Sequence, residues 1–273
     1  QVLAHVVGRE VEQFGALGGS STGALVTPTM NTHVEGVPMN SYIVTELDRL
    51  AEERGAMLRR GVSRYYDPIL LPVVLEEMAV DAGVSLYLYT DLIDVAKDGD
   101  RISGIFVADK SGVHVIEGKT FIDCTGDGDL SVMAGADYTK GNPMTGKNQP
   151  ISLRYMVSGV DMQAFHETAP DSISLWDGCC YAACTTQNPR TSVERIMAEA
   201  RDNGDLIPED LAYWQVFTLP SRPDTLACNC PEIFDRVDGT SAADLTNAQI
   251  SGKKSAMRQL AFYKKYFRGF ENA

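Results

Sequence analysis

Apolar positions recur at i, i+4 and i+7 along SYIVTELDRLAEERGA, where Ile43, Leu47 and Leu50 share one face. That spacing predicts an amphipathic helix over 41–56, ending at Gly55. Asp67-Pro68 reads as a second helix start, with the aspartate as N-cap and the proline at the first helical position. This helix runs through LLPVVLEEMAVDAG, with a disturbance near Pro72, and stops at Gly83. Beyond Gly83 the period falls to two. VSLYLY (84–89) is predicted as a short strand closing an α-to-β unit. DLIDVAKD, RISGIFVAD and GVHVIEG follow, with turns at 98–100, 110–112 and 117–119. Short alternating segments parted by such turns form an antiparallel meander. Thr120–Asp123 is read as a further strand, leading into a glycine turn and a helix whose apolar positions are Leu130, Met133 and Ala134.

Past Gly141 the texture changes. GNPMTGKNQP is turn-rich and marks the best domain boundary in the chain. Strands are predicted at 151–157, 213–219 and 225–229. Helices are predicted at 161–168, at 192–203 with Ser192 as cap and Glu194 and Glu199 outward, and at 244–267. In the last helix Leu245, Ala248, Met257, Leu260 and Ala261 are expected to face inward, and Lys253, Lys254, Arg258, Lys264 and Lys265 to be solvated. The reading is an α/β chain with a first domain over 1–145 and a second, α+β domain over 146–273.

Composition narrows what these elements serve. Of 273 residues, 44% are hydrophobic and 22% charged, enough apolar surface for a buried core. The formal charge of −13 opposes phosphate backbones and anionic lipid, so neither nucleic acid nor a membrane is an expected partner. No apolar run reaches the roughly 18 residues of a spanning helix. The opening QVLAHVVGREVEQ has no basic region, long apolar core or cleavage site, so no secretory signal is expected, and scattered thiols suit the cytoplasm.

Two segments carry candidate chemistry. In FIDCTGDGDLSVMAGADY (121–138) the turn Thr125-Gly126-Asp127 lets the backbone pass close to a ligand, and a helix begins behind it. The competing reading is a tight turn with aspartate caps. A calcium loop is disfavoured, because D-x-x-x-D-x-D lacks the later glutamate. In EQFGALGGSSTGALV (12–26), Glu12 follows a short hydrophobic segment, and Gly18, Gly19, Ser20, Ser21 and Thr22 offer unhindered N–H groups and three hydroxyls. It matches neither the P-loop nor G-x-G-x-x-G.

In this order, with the α/β unit and the meander between them, the two segments resemble the FAD-dependent oxidoreductases. Their flavin domain is of the glutathione-reductase type, and they are related to the flavin subunit of heterodisulfide reductase. The stretches 12–28, 83–112, 121–141 and 237–273 carry the resemblance. It implies a partial FAD-binding, Rossmann-like domain with a β-meander, plus an α+β substrate or cap domain. It also implies hydride transfer between a small organic substrate and FAD. Glu12 would bond the adenosine ribose, 18–22 would lie along the pyrophosphate and ribityl chain, and Thr125, Gly126 and Asp127 would close over the cofactor. His33 would sit near the flavin ring. Arg154 is a candidate carboxylate-binding group, against a salt bridge on a sheet surface. Two departures stand out: no G-x-G-x-x-G occurs, and the family's C-terminal closing segment has no counterpart before Ala273. The sequence reads as the interior of a family member, whose site a second chain or a further segment would complete.

Two alternatives stay open. One is a flavin-free remnant or interaction module with the same fold. The other is a thiol-ligated metal or iron–sulfur protein using Cys179, Cys180, Cys184, Cys228 and Cys230. The spacing CC-x-x-x-C is atypical for either metal centre, so small thiols and no metal site are expected, with Cys124 standing apart.

Overall fold

The computed structural model describes residues 8–29, 33–34, 37–38, 41–60, 63–176, 179–184, 190–233 and 237–273. In chain order the elements run β1 (Arg9–Val11), β2 (Pro28–Thr29), β3 (His33–Val34), β4 (Val37–Pro38), α1 (Ser41–Glu53), β5 (Met57–Arg60), β6 (Ser63–Tyr66), α2 (Leu71–Asp81) and β7 (Ser85–Tyr87). The meander β8 (Asp91–Asp98), β9 (Arg101–Asp109) and β10 (Gly112–Glu117) follows, then α3 (Asp129–Met133). The remainder is β11 (Ile151–Ser152), β12 (Tyr155–Val157), α4 (Met162–Thr168), β13 (Ile173–Trp176), β14 (Cys179–Cys184), α5 (Ser192–Asp202), β15 (Trp214–Leu219), β16 (Arg222–Cys228), β17 (Glu232–Ile233) and α6 (Ala242–Tyr266). The α/β class stands.

The chain forms two compact units. One joins Gln1–Gly23 to Ile69–Lys140, the other Ala24–Pro68 to Gly141–Ala273. The contiguous division at 145/146 lies near the last crossing but does not separate 24–68, which pack with the C-terminal half.

In the first unit β1 and β7 pair in parallel, Arg9 against Ser85 and Val11 against Tyr87. β8, β9 and β10 form the antiparallel meander. A parallel pair needs a crossover, and α2 supplies the helix before β7. Ile105, Val107, Ile116 and Leu130 make one buried cluster, against which Val11, Leu92, Val95, Ile102 and Phe121 pack. The cluster ties the end of β1 and the start of α3 to the same meander. The expected strand at 120–123 is absent: no ladder partner holds it among the described residues, and Phe121 is kept by packing instead.

In the second unit five antiparallel strands run in the order β12-β16-β15-β14-β13. One face carries the main core, including Met162, Phe165, Val193, Met197, Trp214, Val216, Phe262, Tyr263 and Phe270. The other carries Phe217, Leu219 and Ala227, packed with Tyr65 and Leu58 from the β2-β6-β5 sheet. Because both faces are covered, Trp214–Leu219 reads as a nearly continuous buried run rather than an alternating one.

Several local expectations are corrected. Asp67 does not cap α2, which begins at Leu71 with Pro72 in its first turn. Asp67 is fully buried and accepts from Ser221 Oγ and, at 3.1 Å, from Arg222 Nε. The segment 151–157 splits between two sheets, β11 pairing β17 and β12 pairing β16. Thr191, not Ser192, caps α5, and Glu194 closes a capping box instead of pointing idly outward. The buried face of α6 is Ala248, Gly252, Ser255, Gln259, Phe262 and Tyr263, while Leu245 and Met257 are exposed. Arg258 is not simply solvated. It makes a two-pronged contact at 2.6 and 2.9 Å with the buried Asp210.

Candidate functional site

All the residues expected to hold a cofactor fall in the first unit. Glu12 follows β1 directly, and its backbone N–H donates to Tyr87 O at 2.9 Å while its carbonyl accepts from Thr90 at 3.0 Å. Its register beside β7 is thereby held after the ladder ends. One carboxylate oxygen accepts from Phe14 N at 2.9 Å, which turns the chain into the glycine loop. The second oxygen has no partner among the described residues. Burial, with Glu12 close by, raises the pKa of Glu10 above the ordinary carboxylate value.

The loop at 18–22 is shaped by Gly18, whose φ of 105° is left-handed. A Cβ there would meet Thr22 Cγ2 at 2.6 Å and Leu75 at 2.8 Å, so only glycine fits beneath α2. Gly19–Ser21 then form a 3-10 turn. Thr22 is turned inward, nearly fully buried, with its hydroxyl donating to Leu17 O at 2.8 Å. What remains toward solvent is Gly19, Ser20 and the half-buried Ser21.

The turn before α3 is organised by Asp123, which the sequence reading did not single out as a site residue. Its Oδ1 accepts from Thr125 N at 3.1 Å and Thr125 Oγ1 at 2.8 Å; its Oδ2 accepts from Ser131 N at 2.8 Å and Ser131 Oγ at 2.6 Å. Burial alone would raise the pKa of Asp123, but these four donors outweigh it and hold it at about 2. Thr125 Oγ1 also accepts from Asp129 N at 2.8 Å. The hydroxyl and N–H of Thr125 are therefore spent inside the turn. The N–H groups of Gly126 and Asp127 have no partner among the described residues and lie on its exposed side. A signal was present in the sequence: D-x-T with a serine eight residues on is the donor set such a brace requires.

Because the folded pKa of Asp123 lies below the ordinary value of about 3.9, its contribution to stability is present above that pH. The contribution is lost as pH falls from about 4 toward 2. Denaturant unfolding of the protein and of Asp123→Asn over that range should show their stability difference shrinking with acidity. A difference constant across the range would count against the brace.

The two candidate catalytic residues lie in the second unit. His33 opens β3, paired with Pro38, and its side chain lies outside the described residues. Arg154 stands between β11 and β12, where the chain leaves one sheet for another. It is half-buried, and no carboxylate pairs with it among the described residues. Its Nη1 is buried without a hydrogen-bond partner, a deficit worth about 1–3 kcal/mol. Burial lowers its pKa, with Tyr213 and Cys230 nearby acting the other way.

Cys180, Cys228 and Cys230 are buried in the main core. Burial pushes Cys180 and Cys230 up to about 12 and Cys228 well above its ordinary value, so all three are protonated thiols at neutral pH. Cys124 is exposed, and the side chain of Cys184 lies outside the described residues. Among the described residues no group of three or more His, Cys, Asp or Glu could hold a metal ion, and no helix is long and apolar enough to cross a membrane.

The chain is similar to solved structures at low identity. One is a Diels-Alderase, PyrE3, of pyrroindomycin biosynthesis: 17% identity, TM-score 0.42, 91% of this chain and 47% of that one. Another is the glycerol-3-phosphate dehydrogenase of Bacillus halodurans complexed with FAD: 14% identity, TM-score 0.37, 77% of this chain and 36% of that one. This chain thus spans less than half the length of either. No curated protein matches it. The sequence profile described as FAD dependent oxidoreductase matches residues 11–273, from the last residue of β1 to the C-terminal residue. Over nearly its whole length, this chain belongs to the FAD dependent oxidoreductase family.

Proposed function

We propose that this chain supplies part of a flavoenzyme that transfers a hydride between a small organic substrate and FAD. The observation that carries the reading is the common anchoring of the Glu12 turn and the 125–127 turn on one hydrophobic cluster, with the glycine loop in the same unit. The chemistry of these residues fits the cofactor. A carboxylate oxygen without a partner suits a ribose hydroxyl, and open N–H groups at Gly19, Ser20, Gly126 and Asp127 suit phosphate and carbonyl oxygens. Thr22 and Thr125 serve by holding those loops in shape. When bound, FAD would supply a two-electron acceptor, and the chain's part is to orient it and keep water from it.

In this reading 1–145 acts as the partial FAD-binding domain and 146–273 as the substrate-side cap. His33, near the flavin ring, and Arg154, on the cap, are the residues that face substrate, and the cytoplasm is where the protein works. A second chain or a further segment completes the site around β1 and β7. A two-stranded parallel sheet is ordinarily covered on both faces, whereas here Tyr87 is 38% exposed. On α2 and the turn before it, Ile69, Val73 and Val80 also remain exposed.

The test is the visible spectrum and flavin content of the completed protein, followed by titration of Glu12→Ala. That change removes a charge-assisted hydrogen bond worth about 1.5–3 kcal/mol. FAD affinity should fall roughly 10- to 100-fold. Glu12→Gln keeps the acceptor to Phe14 and separates the turn from the ribose contact. Unchanged affinity in both variants would show that Glu12 does not touch the cofactor, and a completed protein without flavin bands would favour the flavin-free remnant.

A further inference from the structure

Around Arg154 the second unit holds hydrogen-bond donors, among them the buried Arg154 Nη1, that have no partner among the described residues. Tyr213 lies within electrostatic reach of Arg154, Tyr181 and Glu232, and its hydroxyl has no partner among the described residues. Asn229 Nδ2 donates to Gln215 Oε1 at 2.8 Å, and Gln215 Nε2 donates in turn to Tyr181 Oη at 3.2 Å. The relay uses the Tyr181 oxygen as an acceptor and leaves its O–H available as a donor. The pairings of Tyr181 with Phe217 and of Gln215 with Ala183 place Tyr181 and Gln215 on the face that carries Phe217, away from the helices. Among the described residues, a guanidinium with no carboxylate paired to it and a Tyr213 hydroxyl with no hydrogen-bond partner together offer donors that an anion would satisfy.

We propose that Arg154 and Tyr213, supported by Tyr181, form the recognition subsite for a monoanionic carboxylate on the substrate. This deepens the flavoenzyme reading by naming a substrate class, and rests on that reading only for the reaction, since the binding itself needs no flavin. The guanidinium fork matches the two oxygens of a carboxylate, and Tyr213 adds a neutral donor beside it. Arg154 is half-buried rather than sealed, so part of its side chain stays in contact with solvent. A dianion such as a phosphate ester is disfavoured. One positive charge faces it, Glu232 stands close to Tyr213, and the chain carries −13 overall. A residue held unpaired at a cost to stability is what a binding site retains and a structural ion pair does not.

The proposal separates binding from folding in its test. Calorimetric titration of the flavin-free 273-residue protein with propionate and benzoate, at ionic strength fixed with chloride, should show saturable binding. Arg154→Met should weaken it at least tenfold, Arg154→Lys less so, and Tyr213→Phe severalfold. Without ligand, Arg154→Met should unfold at the same temperature as the unmodified protein or above it, because an unmet buried donor has been removed. Three results would each overturn the proposal: no carboxylate binding, binding unchanged in Arg154→Met, or an unliganded Arg154→Met that melts well below the parent. Inorganic phosphate binding more tightly than either carboxylate would overturn the class assigned. None of these readings depends on FAD, so failure of the flavin reading leaves them intact, and their failure leaves flavin binding untouched.

Discussion

The 273 residues expressed alone should lose FAD on desalting, with a dissociation constant in the micromolar range or weaker. In this fold the ADP half of the cofactor is held mainly by the glycine-rich turn G-x-G-x-x-G and the helix dipole behind it. That pattern is absent from the sequence. The helix behind the 125–127 turn is only five residues long and contributes little dipole. The remaining groups are one carboxylate at Glu12 and a few open N–H groups in two exposed turns. A net charge of −13 further opposes the approach of a pyrophosphate. A segment carrying G-x-G-x-x-G, joined to or mixed with this chain, should supply two or more charge-assisted hydrogen bonds at about 1.5–3 kcal/mol each. That corresponds to roughly 100-fold or more in affinity. It would also cover the exposed apolar residues beside β1 and β7. Bound flavin after desalting, with and without that segment, is the measurement. One FAD retained per chain by the 273 residues alone would sink the idea.

The second large effect concerns Asp67. Asp67→Ala should cost the second unit about 3 kcal/mol, because it strips a buried carboxylate from Arg222 and Ser221. The value sits at the low end for a broken buried pair because Arg222 is 40% exposed and can regain water. Loss of a helix cap, the role its sequence context suggests, would cost only about 1 kcal/mol. The magnitude therefore decides between the two roles. Both tryptophans, Trp176 and Trp214, lie in the second unit, so their fluorescence during denaturant unfolding reports on that unit alone. In the double variant Asp67→Ala/Arg222→Ala the losses should be less than additive, since the pair is one interaction. A loss near 1 kcal/mol, additive with Arg222→Ala, would restore the cap.

Much of the molecule is legible from local pattern, and the exceptions share a cause. The meander is predicted strand by strand because alternation and D-G or S-G turns are properties of neighbouring residues. The helix at 162–168 announces itself through Asp161, whose carboxylate accepts from Gln163 and Ala164 at 3.0 Å each. By contrast, α6 hides its buried face. Gly252, Ser255 and Gln259 are the inward residues because a close neighbour at Leu153, the Asp210 carboxylate and the Tyr155 hydroxyl meet them there. Polar residues buried by distant partners look, in sequence, like a solvated face, and Met257 at 65% exposure looks like core.

The family, the α/β class, the meander and the two turns around Glu12 and Thr125 are legible in the sequence alone. Each depends on residue types at short fixed spacings, and glycine backbone freedom, alternation and capping act within a few residues. Long-range contacts, not local pattern, join residues 24–68 to the C-terminal half, pair Asp67 with Arg222 and Arg258 with the buried Asp210, and bring Tyr213 within reach of Arg154. These are matters of which distant groups meet away from water. There, an unmet charge or donor costs several times what a local preference is worth, and the long-range partner prevails.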